Sequence, residues 1–510
     1  MVVSIKQRRK ESMKYSSIHH YIFMSIGFFS MKENVAQQPF PVESVVLAAG
    51  RSTRFAMPTS KLAFPLCGRE MVLYPISVLD QLGIPTIVVT GYQKEDIIKL
   101  LQENSHQPLT FVEQLEQRGT GHAVMCAQPH WKADHILIIN GDMPLITADL
   151  IQDLITQHCA HQAAVTFVTA QCTEYPNGYG KVISDKRGIQ IIEARDFTGS
   201  NDEGRLINAG IYIIERRFLE EALAHLVIHE NSQELYITDV VAYAYLTGEK
   251  IHTVETDFTT IRGVNTIQEL ATTEKIIRER IIHYWMKKGV YFEQPETTVI
   301  EQDVSLGAGT RIGAGVHITK GSRIGVRCVI GHYSCIARSA LADQVTILPH
   351  CVISDSEIND HASIGPFAHL RNVHSIHHKA TIGNFVEVSN STIGAYSKVK
   401  HLSYIGNATI GEKVNIGAGT ITCNYDGTRK HITTIEDGVK VGSNNCLIAP
   451  VTLGKNSLTG AGSVITRDVP AFALGIARAQ QVNKENYTQQ LTPASSFVGA
   501  QVDPQSPQEK

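Results

Sequence analysis

The chain reads as two folds in series: a doubly wound, Rossmann-like α/β sheet, then a parallel β-helix of hexapeptide repeats. Three observations predict this. Short apolar runs alternate with helical segments from Ser44 to about Asn265. Aliphatic residues then recur every sixth position in blocks between Ile300 and Ile465. Between the two regions lies a stretch of helical spacing without proline or glycine, residues 266–288. A chain of 510 residues exceeds one ordinary core, so at least two domains are expected.

The first forty residues hold a basic cluster, KQRRK at 6–10, and an apolar run, YIFMSIGFFSM at 21–31. That run is too short to span a bilayer, and no small-residue cleavage motif follows it cleanly. Residues 1–42 read either as an over-long or disordered leader, with Met13, Met24 or Met31 as the start, or as a real extension.

From there SVVLAA (44–49), PTIVVTG (85–91), HILIIN (135–140) and AVTFVTA (164–170) read as buried strands, with DIIKLLQEN (96–104) as a separating helix. A doubly wound sheet of this kind binds ligands at the carboxyl ends of its strands. The segment TIQELATTEKIIRERIIHYWMKK (266–288) reads as a linking helix with Leu270, Ile276, Ile277, Ile281 and Trp285 on one stripe, ended by Gly289.

Beyond it, Ile300, Leu306, Ile312, Ile318, Ile324, Ile330 and Ile336 keep a six-residue period. The register returns at Ile358, Ile364, Leu370, Ile376, Ile382 and Val388, and again at Ile435, Val441, Leu447, Leu453, Thr459 and Ile465. No helix or ordinary strand has that period. A hexapeptide repeat does, burying one aliphatic side chain per flat face, with three faces to a coil. The stretch CNYDGTRKH (423–431) interrupts the repeat, and an insertion in a solenoid projects as a loop, where binding groups tend to sit. The tail after Tyr487 is polar and proline-containing, and reads as disordered.

Composition bounds the chemistry. A formal charge of -3 offers no broad phosphate-neutralising surface and argues against a generic nucleic-acid binder, while leaving an anionic small molecule open. The nine cysteines form no CxxC pair, which points to reduced thiols in a cytosolic protein and away from zinc clusters.

In the first half the strand SVVL runs into AAGRSTRF (48–55), followed by Lys61. The small residues Ala48, Ala49 and Gly50 let the backbone approach a triphosphate, and Arg54 and Lys61 supply cations for charge that develops in transfer. Then come EQLEQRGTGHA (113–123), INGDMP (139–144), NGYGK (177–181), IIEARDF (191–197), INAGIY (207–212), YITD (236–239) and GVN (263–265). On these motifs the chain resembles sugar-phosphate nucleotidyltransferases, and specifically the uridyltransferase half of the bifunctional N-acetylglucosamine-1-phosphate uridyltransferase/glucosamine-1-phosphate N-acetyltransferases.

The resemblance implies that Gln114, Gly119 and Thr120 hold the uracil of UTP, Gly180, Glu193 and Asn208 the sugar, and Asp142 with Asn265 a magnesium ion. One carboxylate, one amide oxygen and substrate phosphates suit Mg2+, which prefers oxygen and keeps several waters. The chain departs from the family at Ser52 (in Ser52-Thr53-Arg54, where Gly-Thr-Arg is usual), Ser60, Lys181 and Ala209.

The second half continues the resemblance through VNIGAGTITCNYDG (414–427), preceded by FAHLR (367–371), GNFVE (383–387) and HLSYIG (401–406). VGSNNCLIAPV (441–451) and TGAGSVITRDVP (459–470) follow. By resemblance this half is a left-handed β-helix acetyltransferase that forms a homotrimer, with sites between neighbouring subunits. His401 would be the base that frees the amine of its proton, oriented by Glu387. Arg371, Tyr404, Asn415 and Lys430 would hold the amino-sugar phosphate, and Asn424, Tyr425, Ser443, Ala461 and Arg478 would meet the reacting centre and acetyl-CoA.

Here the departures are larger. Ser389 stands where the family has a phosphate-binding lysine, Asn372-Val373 replaces Pro-Gly, and Lys400 replaces the glycine before the histidine. Lys400 is a candidate replacement cation. The resemblance implies a cytoplasmic enzyme with three readings of its activity: both transfers, uridylyl transfer with the β-helix as a trimerisation scaffold, or a silent nucleotide-sugar sensor.

Overall fold

Buried strands and amphipathic helices alternate in the first half as the apolar runs require. The computed structural model describes residues 41–50, 55, 60–174, 178–185, 188–194, 197, 205–230 and 232–490. The leader through residue 40 and the tail from 491 lie outside the described residues. The chain divides into two compact units, 1–277 and 278–510.

In the first unit the main sheet has strands β1 (Val42–Ala48), β2 (Thr86–Thr90), β3 (Leu109–Glu113), β4 (His135–Asn140) and β5 (Val165–Gln171). After these come β6 (Lys181–Asp185), β7 (Gly188–Ile192), β8 (Leu206–Glu215) and β9 (Ile251–Thr256). Their order is β3-β2-β1-β4-β8-β5-β9. Strand β1 pairs in parallel with β2 on one side and β4 on the other, so the winding reverses between β1 and β4. That reversal opens a crevice at the carboxyl ends of the two strands.

The expected strands fall within a residue or two of the observed ones. The sheet is not wholly parallel, however: β8 runs antiparallel to both β4 and β5, and the β6–β7 hairpin leaves from it. Val45, Val46, Leu137 and Ile138 are almost fully buried, as central strands covered on both faces must be. The helix expected at 266–288 spans Ile267–Lys287, and Leu270, Ile277 and Ile281 of its predicted stripe are buried.

The second unit is built from strands of two to four residues that stack into three parallel sheets of 11, 10 and 9 strands, the three faces of a left-handed β-helix. Every residue of the predicted six-residue register is buried, most of them at 0–4% exposure. At about 1.5–3 kcal/mol for each aliphatic side chain, this inward column is the main source of the unit's stability.

The apparent gaps in the register have a simple cause. Ile336 to Leu341, Ile353 to Ile358, Val388 to Ile393 and Ile405 to Ile410 are steps of five instead of six, all at the same corner of the coil. The repeat slips phase there without being interrupted. The insertion after Cys423 falls at this corner too, between Thr422 and Ile435. Corners are turned by single residues in the left-handed region, among them Asn372 (φ 50°), Asn390 (φ 47°) and Leu402 (φ 47°).

Among the described residues, no helix is long and apolar enough to cross a membrane.

Candidate active sites

Two adjoining clefts open at the carboxyl ends of β1 and β4. The larger, about 750 Å³, is lined by Ala48, Ala49, Gly50, Lys61, Gln114, Gly119, Thr120 and Asp142. The second, about 360 Å³, is lined by Asp142, Gly180, Glu193, Asn208 and Asn265. Leu47, Thr120, Asn140, Asp142 and Tyr236 belong to both, so the clefts share a wall. These walls take in every candidate of the first half except Arg54, which lies outside the described residues.

Local chemistry explains the placements. Gln114 is 3% exposed, and its Nε2 donates to the Gly119 carbonyl (3.1 Å) and to His122 Nδ1 (3.0 Å). Gly119 has φ of +98°, and a Cβ there would meet the Leu235 carbonyl at 2.4 Å, so only glycine fits. Thr120 Oγ1 accepts from the Ile237 amide at 3.1 Å. In the second cleft Glu193 accepts from the Thr238 hydroxyl at 2.7 Å, and the Asn208 amide donates to the Gly180 carbonyl at 2.8 Å. Burial pushes the neighbouring Tyr179 up to about 12, and its hydroxyl oxygen accepts from the Gly263 amide at 3.0 Å.

Lys61 ties the clefts together. Its Nζ donates to Asp142 Oδ2 (2.6 Å), Asn265 Oδ1 (2.8 Å) and the Val264 carbonyl (2.9 Å). Three oxygens from two segments, Asp142 after β4 and the adjacent Val264 and Asn265, therefore converge on one point, a donor set that suits a hard divalent cation. The Val264 carbonyl escaped the sequence reading, because a backbone oxygen carries no side-chain signal.

In the β-helix unit the candidates sort by position on the coil. Asn384, His401, Ala418, Ser443 and Ala461 form a column along one corner. The amide after each of the later four reaches the carbonyl one coil below: Leu402 to Asn384 (3.1 Å), Gly419 to His401 (3.4 Å), Asn444 to Ala418 (2.7 Å) and Gly462 to Ser443 (2.8 Å). Arg478 closes the top of this column, its Nη1 donating to the Ala461 carbonyl at 2.7 Å. The register thus gathers the candidate base and three of the candidate acetyl-CoA contacts on one edge.

Just past that corner the outward face carries Glu387 beside Tyr404 in the pairing register. In this structure Glu387 is not hydrogen-bonded to His401. Its Oε1 accepts from Arg371 Nε (3.0 Å) and Nη2 (2.7 Å), whereas His401 Nδ1 pairs with Asn384 Oδ1 at 2.9 Å. A guanidinium one coil below takes the carboxylate in charge-assisted bonds. Asn384 lies inside the GNFVE motif and is the partner that sequence reasoning missed.

Asn415 sits on the preceding sheet between Lys398 and Lys440 in the register. Lys430 bridges back to Tyr425 within the inserted loop, and Asn424 Nδ2 donates to Asn407 Oδ1 at 2.6 Å. The loop is folded on Asp426, whose carboxylate accepts from the Thr428 and Arg429 amides and pairs with His431, contacts that hold it far below the usual carboxylate range. Ser389 is buried, with the Asn390 amide group on its hydroxyl. Lys400 is exposed on the sheet before the corner, and Ser389 lies on the sheet after it.

Both units of the chain are similar to known proteins. Residues 44–230 match the family described as the MobA-like NTP transferase domain. The chain is 42% identical over 455 residues to the bifunctional protein GlmU of Geobacillus sp. (strain WCH70), covering 88% of this chain and 98% of that protein. It is 40% identical over 450 residues to that of Geotalea uraniireducens, covering 87% and 98%, and 39% identical over 458 residues to that of Synechococcus elongatus, covering 88% and 99%. With likeness at this level running through both units, the chain belongs to the family of bifunctional GlmU proteins.

Proposed function

We propose that the chain makes UDP-N-acetylglucosamine by two transfers. In the β-helix unit the amine of glucosamine-1-phosphate attacks the thioester carbonyl of acetyl-CoA; a C–N bond forms, the C–S bond breaks, and CoA leaves as the thiol. His401 takes the amine proton, held in orientation by Asn384. Tyr404, Asn415 and Lys430 hold the sugar phosphate with Arg371, which Glu387 steadies. Asn424 and Tyr425 face the reacting centre, and Ser443, Ala461 and Arg478 hold acetyl-CoA along the corner column.

In the first unit the phosphate oxygen of N-acetylglucosamine-1-phosphate attacks the α-phosphorus of UTP in line and displaces pyrophosphate. No protein nucleophile is required. Gln114, Gly119 and Thr120 grip the uracil, Gly180, Glu193 and Asn208 the sugar, and Ala48 to Gly50 with Arg54 and Lys61 the phosphates. Asp142 and Asn265 would hold Mg2+, which when bound supplies charge neutralisation to the phosphates. Positioning by these residues is the chain's own contribution.

We further assign residues 43–265 to uridylyl transfer, 266–289 to a linking helix and 290–482 to acetyl transfer, in a cytoplasmic homotrimer assembled through the β-helix.

The observation that carries this reading is the joint lining of the two clefts, where nucleotide and sugar candidates meet at Asp142. Ser389, buried where the family carries a phosphate-binding lysine, favours a second reading: uridylyl transfer alone. Incubation with acetyl-CoA and glucosamine-1-phosphate, without UTP, decides between them. Release of CoA that vanishes in His401→Ala supports both transfers. No release, alongside pyrophosphate formation from UTP and N-acetylglucosamine-1-phosphate, leaves the second reading.

A further inference from the structure

We infer that Lys61 is a placeholder for the divalent cation: its ammonium fills the metal seat in the nucleotide-free protein and leaves it only when metal and triphosphate arrive together. This rests on the reading that Asp142 and Asn265 hold the metal.

The three bonds from Lys61 Nζ, to Asp142 Oδ2, Asn265 Oδ1 and the Val264 carbonyl at 2.6–2.9 Å, use all three donors of an ammonium group. The lysine is 9% exposed, so the cation is taken up by this cage and little by water. A divalent ion contacting the same oxygens at about 2.0–2.1 Å would stand where the ammonium now is. The two cannot share the seat.

Charge then sets the order of events. One carboxylate facing one ammonium is neutral, and adding a divalent ion to that pair would leave about two uncompensated positive charges in a low-dielectric crevice. The free ion therefore binds weakly. A triphosphate delivers enough negative charge for both cations: the metal takes Asp142 and Asn265, and the ammonium swings to the phosphate oxygens lining the same cleft. The backbone need not move. Lys61 opens a single 3-10 turn, Lys61–Ala63, with the Ser60 side chain accepting from Leu62 N, and its long flexible stem provides the travel.

The arrangement prevents metal from occupying the site without nucleotide, and it delivers a cation to the phosphates at the moment the metal docks.

The test is Mn2+ binding measured by the loss of the free-ion paramagnetic resonance signal, using MnCl2 alone and then with UTP. Wild-type protein should bind Mn2+ weakly alone and tightly with UTP. Lys61→Met, nearly isosteric and uncharged, should bind Mn2+ alone at least about tenfold more tightly than wild type; Lys61→Gln, which keeps a hydrogen-bond donor, provides a second variant should the first fail to fold. Unchanged or weaker Mn2+ binding in folded Lys61 variants overturns the placeholder. The underlying metal assignment is judged separately: Asp142→Asn should weaken Mn2+ binding in the presence of UTP, and if it does not, the metal seat itself is misassigned.

Discussion

Lowering the pH from 7 to 5 should destabilise the first unit by about 2 kcal/mol through one buried histidine. His158, on the helix Ala148–His161, is 1% exposed. Its Nδ1 pairs with the Thr166 hydroxyl at 2.8 Å and its Nε2 with His135 Nδ1 at 3.0 Å, so the neutral ring is satisfied on both sides. Burial, reinforced by His135 and His252, pulls its pKa from 6.5 to about 4. The folded state thus binds fewer protons than the unfolded one between those values. Stability is fully present above the unfolded value and is lost as pH falls toward about 4, at roughly 1.4 kcal/mol per unit, or about 3 kcal/mol in all. His135 is shifted down as well, again chiefly by burial, and adds in the same direction.

The chain has two tryptophans, so a Trp285→Phe background leaves Trp131, 8% exposed, as the reporter of the first unit. Urea unfolding followed by its fluorescence at half-unit steps from pH 4.5 to 7.5 gives the slope. His158→Gln removes the titration while retaining a hydrogen-bonding side chain, and its slope should be clearly shallower. If the wild-type and His158→Gln profiles run parallel across that window, the buried-imidazole account is wrong.

Three further outcomes are expected. Asn384→Ala should lower kcat for acetyl transfer by about 3–10-fold, the worth of one hydrogen bond, and alter the pH profile of CoA release, with Asn384→Gln partly restoring both. Gly119→Ala, which sets a Cβ against the Leu235 carbonyl, should reduce pyrophosphate formation by at least about tenfold while CoA release stays unchanged. Ile382→Ala, at a fully buried position of the repeat, should destabilise the β-helix by about 2–5 kcal/mol in urea unfolding followed by circular dichroism.

Much of this fold was legible because its two halves repeat two different periods. The six-residue spacing of Ile300 to Ile336 can be satisfied only by a coil of three flat faces. The strand HILIIN could be read because a central strand covered on both faces is continuously apolar. The antiparallel run of β8 was hidden, since direction depends on pairing and pairing leaves no mark in composition. The five-residue corner steps were hidden for another reason: they shift phase without changing residue type. At the sites, motifs located side chains but not their partners. Glu387 and Asn384 lie three residues apart in one motif, and only the coil geometry decides that the first meets Arg371 and the second His401. The His135–His158 pair was equally invisible among 22 histidines.

The corners of the β-helix carry one more consequence. Among the described residues, the non-glycine side chains held at positive φ include lysine, arginine, glutamine, tyrosine, phenylalanine, leucine and asparagine, but no valine, isoleucine or threonine. Branching at Cβ is what that backbone rejects; nearly any unbranched side chain is accepted. Each corner is therefore a ruled line of display positions about 4.8 Å apart, the spacing of neighbouring strands. Arg338 and Asp355, successive on one such line, are already an ion pair, while Tyr333, His350, Phe367 and Phe385 on another lie ring against ring. Away from the candidate site, the corners of this unit can be rewritten line by line, in charge or in aromatic character, with the aliphatic interior left untouched.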